Sequence, residues 1–265
     1  MPRIPDRSDL VELALRAAAE GARVVLSGVP GGPVDLKGTG DYVTEVDRAS
    51  ERAISETLRA GEPSIPVVGE EGGGERASRF WSVDPLDGTT NFLHRFPLVG
   101  VSVALVEDGR PVVGVVESPF LGETYLATRG SGARMRRPDG EEHPLRISER
   151  DPAEAIVATG FPFRHKERIP RYLAAFEQSL ERFEDLRRPG AASLDLAWVA
   201  TGVFDGFFEL GLAPWDVAAG GLLIEEAGGT VTDWSGGPDY LAGNILAGSP
   251  AVHRELLAIA TQRTP

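Results

Sequence analysis

The chain has 265 residues, a formal net charge of −13, 42% hydrophobic and 25% charged residues, and no cysteine. The missing cysteines exclude disulfides, thiolate nucleophiles and cysteine metal sites, and the acidic balance argues against direct nucleic-acid binding, which needs Lys and Arg for the phosphates. No run of about 18 apolar residues is present to span a bilayer and no basic-then-apolar segment opens the chain, so a cytoplasmic globular protein without a membrane partner is expected.

Ser8 to Leu26 reads as an amphipathic helix, capped by Ser8 or Asp9 and apolar at Leu10, Leu13, Ala17 and Val24. The run Gly28-Val29-Pro30-Gly31-Gly32-Pro33 ends it, and the polar stretch Lys37-Gly38-Thr39-Gly40-Asp41 reads as mobile. Val46 to Leu58, entered through Thr44, is a second helix. Strands follow at Pro66–Gly69 and Phe80–Val83, then at Val99–Val106, Val112–Glu117 and Thr124–Thr128, with Glu107-Asp108-Gly109-Arg110 as a hairpin turn. Ala155–Ala158 is a further strand, Arg168–Arg182 and Ala191–Thr201 are helices, and Phe204–Leu210 is a strand. Asp216–Ala227 reads as a helix stopped by Gly228-Gly229. Strands at Thr230–Thr232 and Ile245–Gly248 and a helix from about Pro250 complete the chain. Helices and strands mixed throughout, with no repeat or linker, predict one α/β-type unit over residues 1–265.

The run Trp81-Ser82-Val83-Asp84-Pro85-Leu86-Asp87-Gly88-Thr89-Thr90-Asn91-Phe92 carries the chemistry. An apolar strand ends in two carboxylates with little basic residue nearby, which calls for a cation. Hard oxygen donors suit Mg²⁺, Mn²⁺ or Ca²⁺ rather than zinc. The residues after Asp87 open a helix or turn, where free backbone N–H groups can seat a phosphate. Asp47, Glu70 and Asp216 also sit beside apolar residues at element boundaries. Helix capping is the plainer explanation for Asp47, Asp87 and Asp216, each of which precedes a helix. Glu70 and Asp84 have no such explanation. The residues by themselves leave both readings open.

Asp84-Pro85-Leu86-Asp87-Gly88-Thr89-Thr90-Asn91 resembles the signature of the inositol monophosphatase family, Mg²⁺-dependent and lithium-sensitive phosphatases. Trp215-Asp216-Val217-Ala218-Ala219-Gly220 resembles its second signature, Val68-Gly69-Glu70-Glu71 its GEE element, and Asp41-Tyr42-Val43-Thr44-Glu45-Val46-Asp47 its N-terminal one. Thr159-Gly160-Phe161-Pro162-Phe163 and Arg187-Arg188-Pro189-Gly190-Ala191-Ala192-Ser193-Leu194-Asp195-Leu196 are most similar to the bacterial inositol-1-monophosphatase branch. The likeness runs from about Leu10 to near the C-terminus with the motifs in order.

The resemblance implies an α+β fold, a layered α-β-α-β-α sandwich of the inositol monophosphatase/fructose-1,6-bisphosphatase type, and a homodimer. It implies two to three Mg²⁺ ions: one on Glu70, Asp84 and the Leu86 carbonyl, one on Asp84, Asp87 and Asp216, and a third on Glu70 and water. Glu70, Thr89 and Asp47 would be catalytic, with Thr89 orienting a metal-activated water. Asp87, Gly88, Thr89, Ala192, Glu209 and Asp216 would bind a small phosphorylated polyol, myo-inositol 1-phosphate first among them. Thr90 and Lys37 are further candidates for the phosphate pocket. For Glu209 the alternative is an exposed acid at a strand end. Arg187 and Arg188 are candidates for interface, surface or regulatory positions, and His94, His143, His165 and His253 read as structural or surface residues. The loop Gly72–Ser78 is shorter than in many members. Two rivals stand beside the inositol phosphatase: another sugar or alcohol phosphatase on the scaffold, acting on fructose 1,6-bisphosphate or histidinol phosphate, and an interaction protein contacting the transcription machinery.

Overall fold

The computed structural model describes residues 7–30, 34–38 and 41–262. Two amphipathic helices open it, α1 (Arg7–Ser27) and α2 (Glu45–Gly61). Between them β1 (Val34–Gly38) and β2 (Asp41–Thr44) pair antiparallel, so Lys37, Gly38 and Asp41 of the stretch expected to be mobile lie in strands. Its polar, Gly-rich composition gave no alternation to announce them. The Lys37 side chain and residues 39–40 lie outside the described residues. Thr44 caps α2, its hydroxyl accepting from the backbone N–H of Val46 and Asp47.

The first sheet has seven strands in the order β3 (Val67–Gly69), β4 (Arg79–Asp87), β5 (Gly100–Glu107), β6 (Arg110–Ser118), β7 (Glu123–Thr128), β8 (Ala133–Arg136) and β9 (Glu142–Pro144). A one-turn helix, α3 (Thr89–Leu93), sits between β4 and β5. The second sheet runs β11 (Asp185–Arg187), β10 (Ile156–Thr159), β12 (Gly206–Leu210), β14 (Asn244–Gly248), β13 (Thr230–Thr232). The helices α4 (Ile169–Arg182), α5 (Ala192–Ala200), α6 (Pro214–Glu226) and α7 (Pro250–Thr261) complete the described α-helices.

Alternation along the strands explains the layering. On β5, Val101, Val103 and Leu105 pack with α1 and α2, while Ala104 and Val106 face the opposite way, toward α5 and α6. Both faces are covered, so the strand reads as an unbroken apolar run. Helix α6 is buried on nearly all sides and contacts strands of both sheets. On the far face of the second sheet, Val157, Phe208 and Leu246 pack against Tyr172 of α4 and Val252 and Leu256 of α7. The result is the expected α+β arrangement of five layers: α1/α2, first sheet, α5/α6, second sheet, α4/α7. The short strands β8, β9 and β11 escape a sequence reading, since three or four half-exposed residues show no periodicity. Among the described residues, no helix is long and apolar enough to cross a membrane.

Candidate active site

The site begins at an irregularity in β4. Asp84 pairs with Ser102 and Asp87 with Gly100, so β4 carries one residue more than β5 over this span. Such an insertion is a bulge, and it falls at Pro85-Leu86, where proline has no N–H for the ladder. In a regular strand residues 84 and 87 would point to opposite faces. The bulge turns both carboxylates to one side while Val83 and Leu86 stay buried against α1 and α2. The strand end expected at Val83 is therefore a bulge within a longer strand.

Asp216 comes from the first turn of α6, which Ser102 anchors by donating its hydroxyl to the Trp215 carbonyl at 2.9 Å. One oxygen each of Asp84, Asp87 and Asp216 lies within 4.8 Å of the others. Burial and the charges of Glu70, Asp87 and Asp216 push the Asp84 carboxyl well above its ordinary range. Burial and Asp216 push Asp87 up to about 6, against hydrogen bonds from the Ser193 N–H and hydroxyl at 2.7 and 2.6 Å. Crowded hard oxygens, with no nitrogen or sulfur donor among them, fit a hard dication such as Mg²⁺.

Capping and site geometry coincide rather than compete at two of the acids. Asp216 accepts the Ala213 N–H at 2.6 Å, and Asp47 accepts the Thr44 N–H at 2.8 Å. The other oxygen of Asp47 accepts the Thr89 hydroxyl at 2.8 Å, from a position behind Thr89 that is 1% exposed. Asp87 does not cap: the residue before α3 is Gly88, at φ 90°. A Cβ there would meet the Leu98 and Gly190 carbonyls at 3.1 and 3.3 Å, so both conformation and space call for glycine. Thr89 and Thr90 open α3 with backbone N–H groups that have no partner earlier in the helix.

Glu70 lies outside the three-carboxylate cluster but lines the same cleft, with Arg164 3.9 Å away across it. Its backbone is fixed by a bond to the Val83 carbonyl and by Glu51, whose carboxylate accepts the N–H of Glu71 and Gly72 at 2.7 and 2.6 Å. Glu51 escaped the sequence reading, although an acid in the apolar stripe of Ile54 and Leu58 was a signal. Glu51→Gln leaves one N–H facing an amide NH₂, an expected cost of about 1–3 kcal/mol. Thermal melts with and without Mg²⁺ should show a lower Tm and a smaller Mg²⁺-induced rise.

The cleft encloses about 520 Å³, and Glu70, Asp84, Leu86, Asp87, Gly88, Thr89, Ala192, Glu209 and Asp216 all line it. Glu209 is half-buried, not an exposed strand-end acid. Its carboxylate lies where a Cβ on Gly160 would come within 2.2 Å, so glycine makes room for it. Burial and the charge of Asp216 raise it to about 8, with Arg188 and Arg164 opposing. Arg188 is a cleft residue, its guanidinium 5.2 and 5.5 Å from the Phe161 and Phe163 ring centres. Arg187 is turned away, paired to Asp185 at 2.5 Å. Arg164, His165 and Asp195 also line the cleft without having been singled out for it. Of the other histidines, His253 is buried beside Thr232 and His94 and His143 lie outside the cleft.

The family model described as the inositol monophosphatase family matches residues 6–264. Nus factor SuhB of Escherichia coli (strain K12) is 43% identical over 257 residues, covering 94% of each chain. Among solved structures, the extragenic suppressor protein suhB from Bartonella henselae superposes with a TM-score of 0.87 at 37% identity, covering 97% of this chain and 100% of that one. The inositol monophosphatase from Anabaena (Nostoc) sp. PCC 7120 does so with a TM-score of 0.85 at 34% identity, covering 97% of each. With the match spanning nearly the whole sequence and the same layered fold behind it, the chain belongs to the inositol monophosphatase family.

Proposed function

We propose that this protein is a Mg²⁺-dependent phosphomonoesterase that hydrolyses a phosphorylated polyol, with myo-inositol 1-phosphate as first candidate. The observation that carries this reading is the convergence of Asp84, Asp87 and Asp216 within 4.8 Å beside the Thr89–Asp47 hydrogen bond. Asp84, Asp87 and Asp216 would hold one ion, and Glu70, Asp84 and the Leu86 carbonyl another, with a third on Glu70. Bound there, Mg²⁺ supplies charge neutralisation for the phosphate and lowers the pKa of water.

The chain's own residues do the rest. Thr89 has one hydroxyl proton and donates it to Asp47, which leaves its lone pairs to accept from a water and align it. Gly88 and Thr89 present N–H groups to phosphate oxygens. Glu209, the Ala192 backbone and Asp87 face the leaving alcohol, and Glu209 selects hydroxylated ones. Single-domain organisation, a cytoplasmic setting and a homodimer belong to the same reading.

The test is phosphate release with Mg²⁺ from inositol 1-phosphate, fructose 1,6-bisphosphate, histidinol phosphate and adenosine 3′,5′-bisphosphate. Preference for inositol 1-phosphate, abolished by a chelator that leaves the protein folded, is the expected result. Preference for another ester keeps the chemistry and moves the substrate; release from none overturns the reading. The name Nus factor, printed for the Escherichia coli relative, favours a second role in contact with transcription machinery. The two roles are compatible.

A further inference from the structure

Asp195 has no task in the reaction just described, yet it occupies an expensive position. It is 1% exposed on α5 among the buried Leu194, Leu196 and Ala197, and it lines the cleft. Its Oδ1 has no hydrogen-bond partner among the described residues. Leaving such a group unpaired costs about as much as a good side-chain contact gains. The charges of Asp87 and Glu209 bear on it unfavourably, and Arg188 is the cation that opposes them. No hydrogen bond joins Arg188 to it, for that guanidinium is placed over Phe161 and Phe163. Oδ1 itself is closed off from water, so a donor can reach this carboxyl only along its cleft-facing edge, beside the polyol-facing Glu209.

We propose that Asp195 is a specificity-determining residue whose carboxylate accepts a second hydroxyl of the leaving alcohol, beyond the one read by Glu209. The cleft, at about 520 Å³ and lined by both acids, has room for a six-carbon polyol phosphate. The substrate class selected is a phosphate ester of a polyol with several adjacent hydroxyls, preferred over simple alkyl or aryl phosphates. This rests on the phosphatase reading above.

The experiment compares wild type, Asp195→Asn and Asp195→Ala on myo-inositol 1-phosphate and p-nitrophenyl phosphate, with a thermal melt of each protein. For Asp195→Ala the expected result is a fall of about tenfold in the preference for the polyol ester, carried by KM, and for Asp195→Asn, which keeps an acceptor oxygen, a smaller fall. It is accompanied by a Tm equal to or above that of wild type, because an unpaired buried carboxylate has been removed. A merely structural Asp195 gives the opposite pattern, a lower Tm and equal losses on both esters, and overturns the proposal. If wild type hydrolyses neither ester, the four-ester panel above decides the phosphatase reading separately. Calorimetric titration of myo-inositol 1-phosphate in Ca²⁺ then decides: weaker binding to Asp195→Ala supports the proposal, and equal or no binding overturns it.

Discussion

Asp87→Asn is expected to lower kcat/KM for the preferred ester by about 10²–10³-fold, the size of several kcal/mol of lost transition-state stabilisation, while the protein stays folded. The fold is insensitive because the Asn amide oxygen still accepts from Ser193, which bridges α5 to the β4 bulge. The charge is what disappears. In metal-free protein the change relieves repulsion with Asp84 and Asp216, so Tm in chelator should rise by about 2–4 °C for ~1 kcal/mol. With Mg²⁺ the order reverses, since wild type gains linkage stabilisation that the variant largely lacks. Melts with and without Mg²⁺, beside the rate measurement, check both halves. An active variant whose Tm responds to Mg²⁺ as wild type does would remove Asp87 from the proposed ligand set. The same variant separates the two roles, since it silences chemistry from inside the cleft and leaves the outer surface for a partner unchanged.

Thr89→Ala is expected to lower kcat by about 10²-fold with KM nearly unchanged, the pattern of a group acting on the transition state. Thr89→Ser, which keeps the hydroxyl, should stay within several-fold of wild type. The split follows from hydrogen-bond arithmetic: the Thr89 proton is committed to Asp47, with the Leu86 carbonyl at 3.2 Å a poorer alternative, so the oxygen is free only as an acceptor. Asp47 in turn is locked by the Thr44 N–H and hydroxyl. Asp47→Asn must turn an NH₂ group toward one of these donors, so its loss and that of Thr89→Ala should combine non-additively in a double-mutant cycle. Steady-state kinetics of the two single variants and the double variant read this directly. Additive losses would show that Asp47 acts on the cap of α2 alone.

Much of this was visible in the residues. The long amphipathic helices and the apolar β5 and β6 announce themselves through periodicity and β-branched content. The clustered acids were legible as a group because Asp84 and Glu70 have no local reason to be where they are. What stayed hidden depends on tertiary pairing. Pro85 looked like the end of a strand, and only the register against β5 shows that the strand continues past it. Glu51 interrupts the apolar stripe of its helix, but its task, like those of Arg188 and Asp195, comes from neighbours some twenty to a hundred residues away. Gly160 is similar: its partner Glu209 lies on β12, next to β10 in the sheet and distant in the chain.

The central position of α6 has a consequence for synthesis of the chain. The first sheet ends at Pro144, but the helix that covers the inner faces of β5, β6 and β7 begins only at Pro214. During translation, then, a seven-stranded sheet emerges with Ala104, Val106 and Val116 still open to water, waiting about fifty residues for α5 and about seventy for α6, which completes their cover. Non-local closure of this kind is slow and exposes apolar surface to other chains. The nascent polypeptide carries Glu70, Asp84 and Asp87 early but receives Asp216 with the covering helix itself. The last acid of the cluster and the seal on the apolar face thus leave the ribosome together.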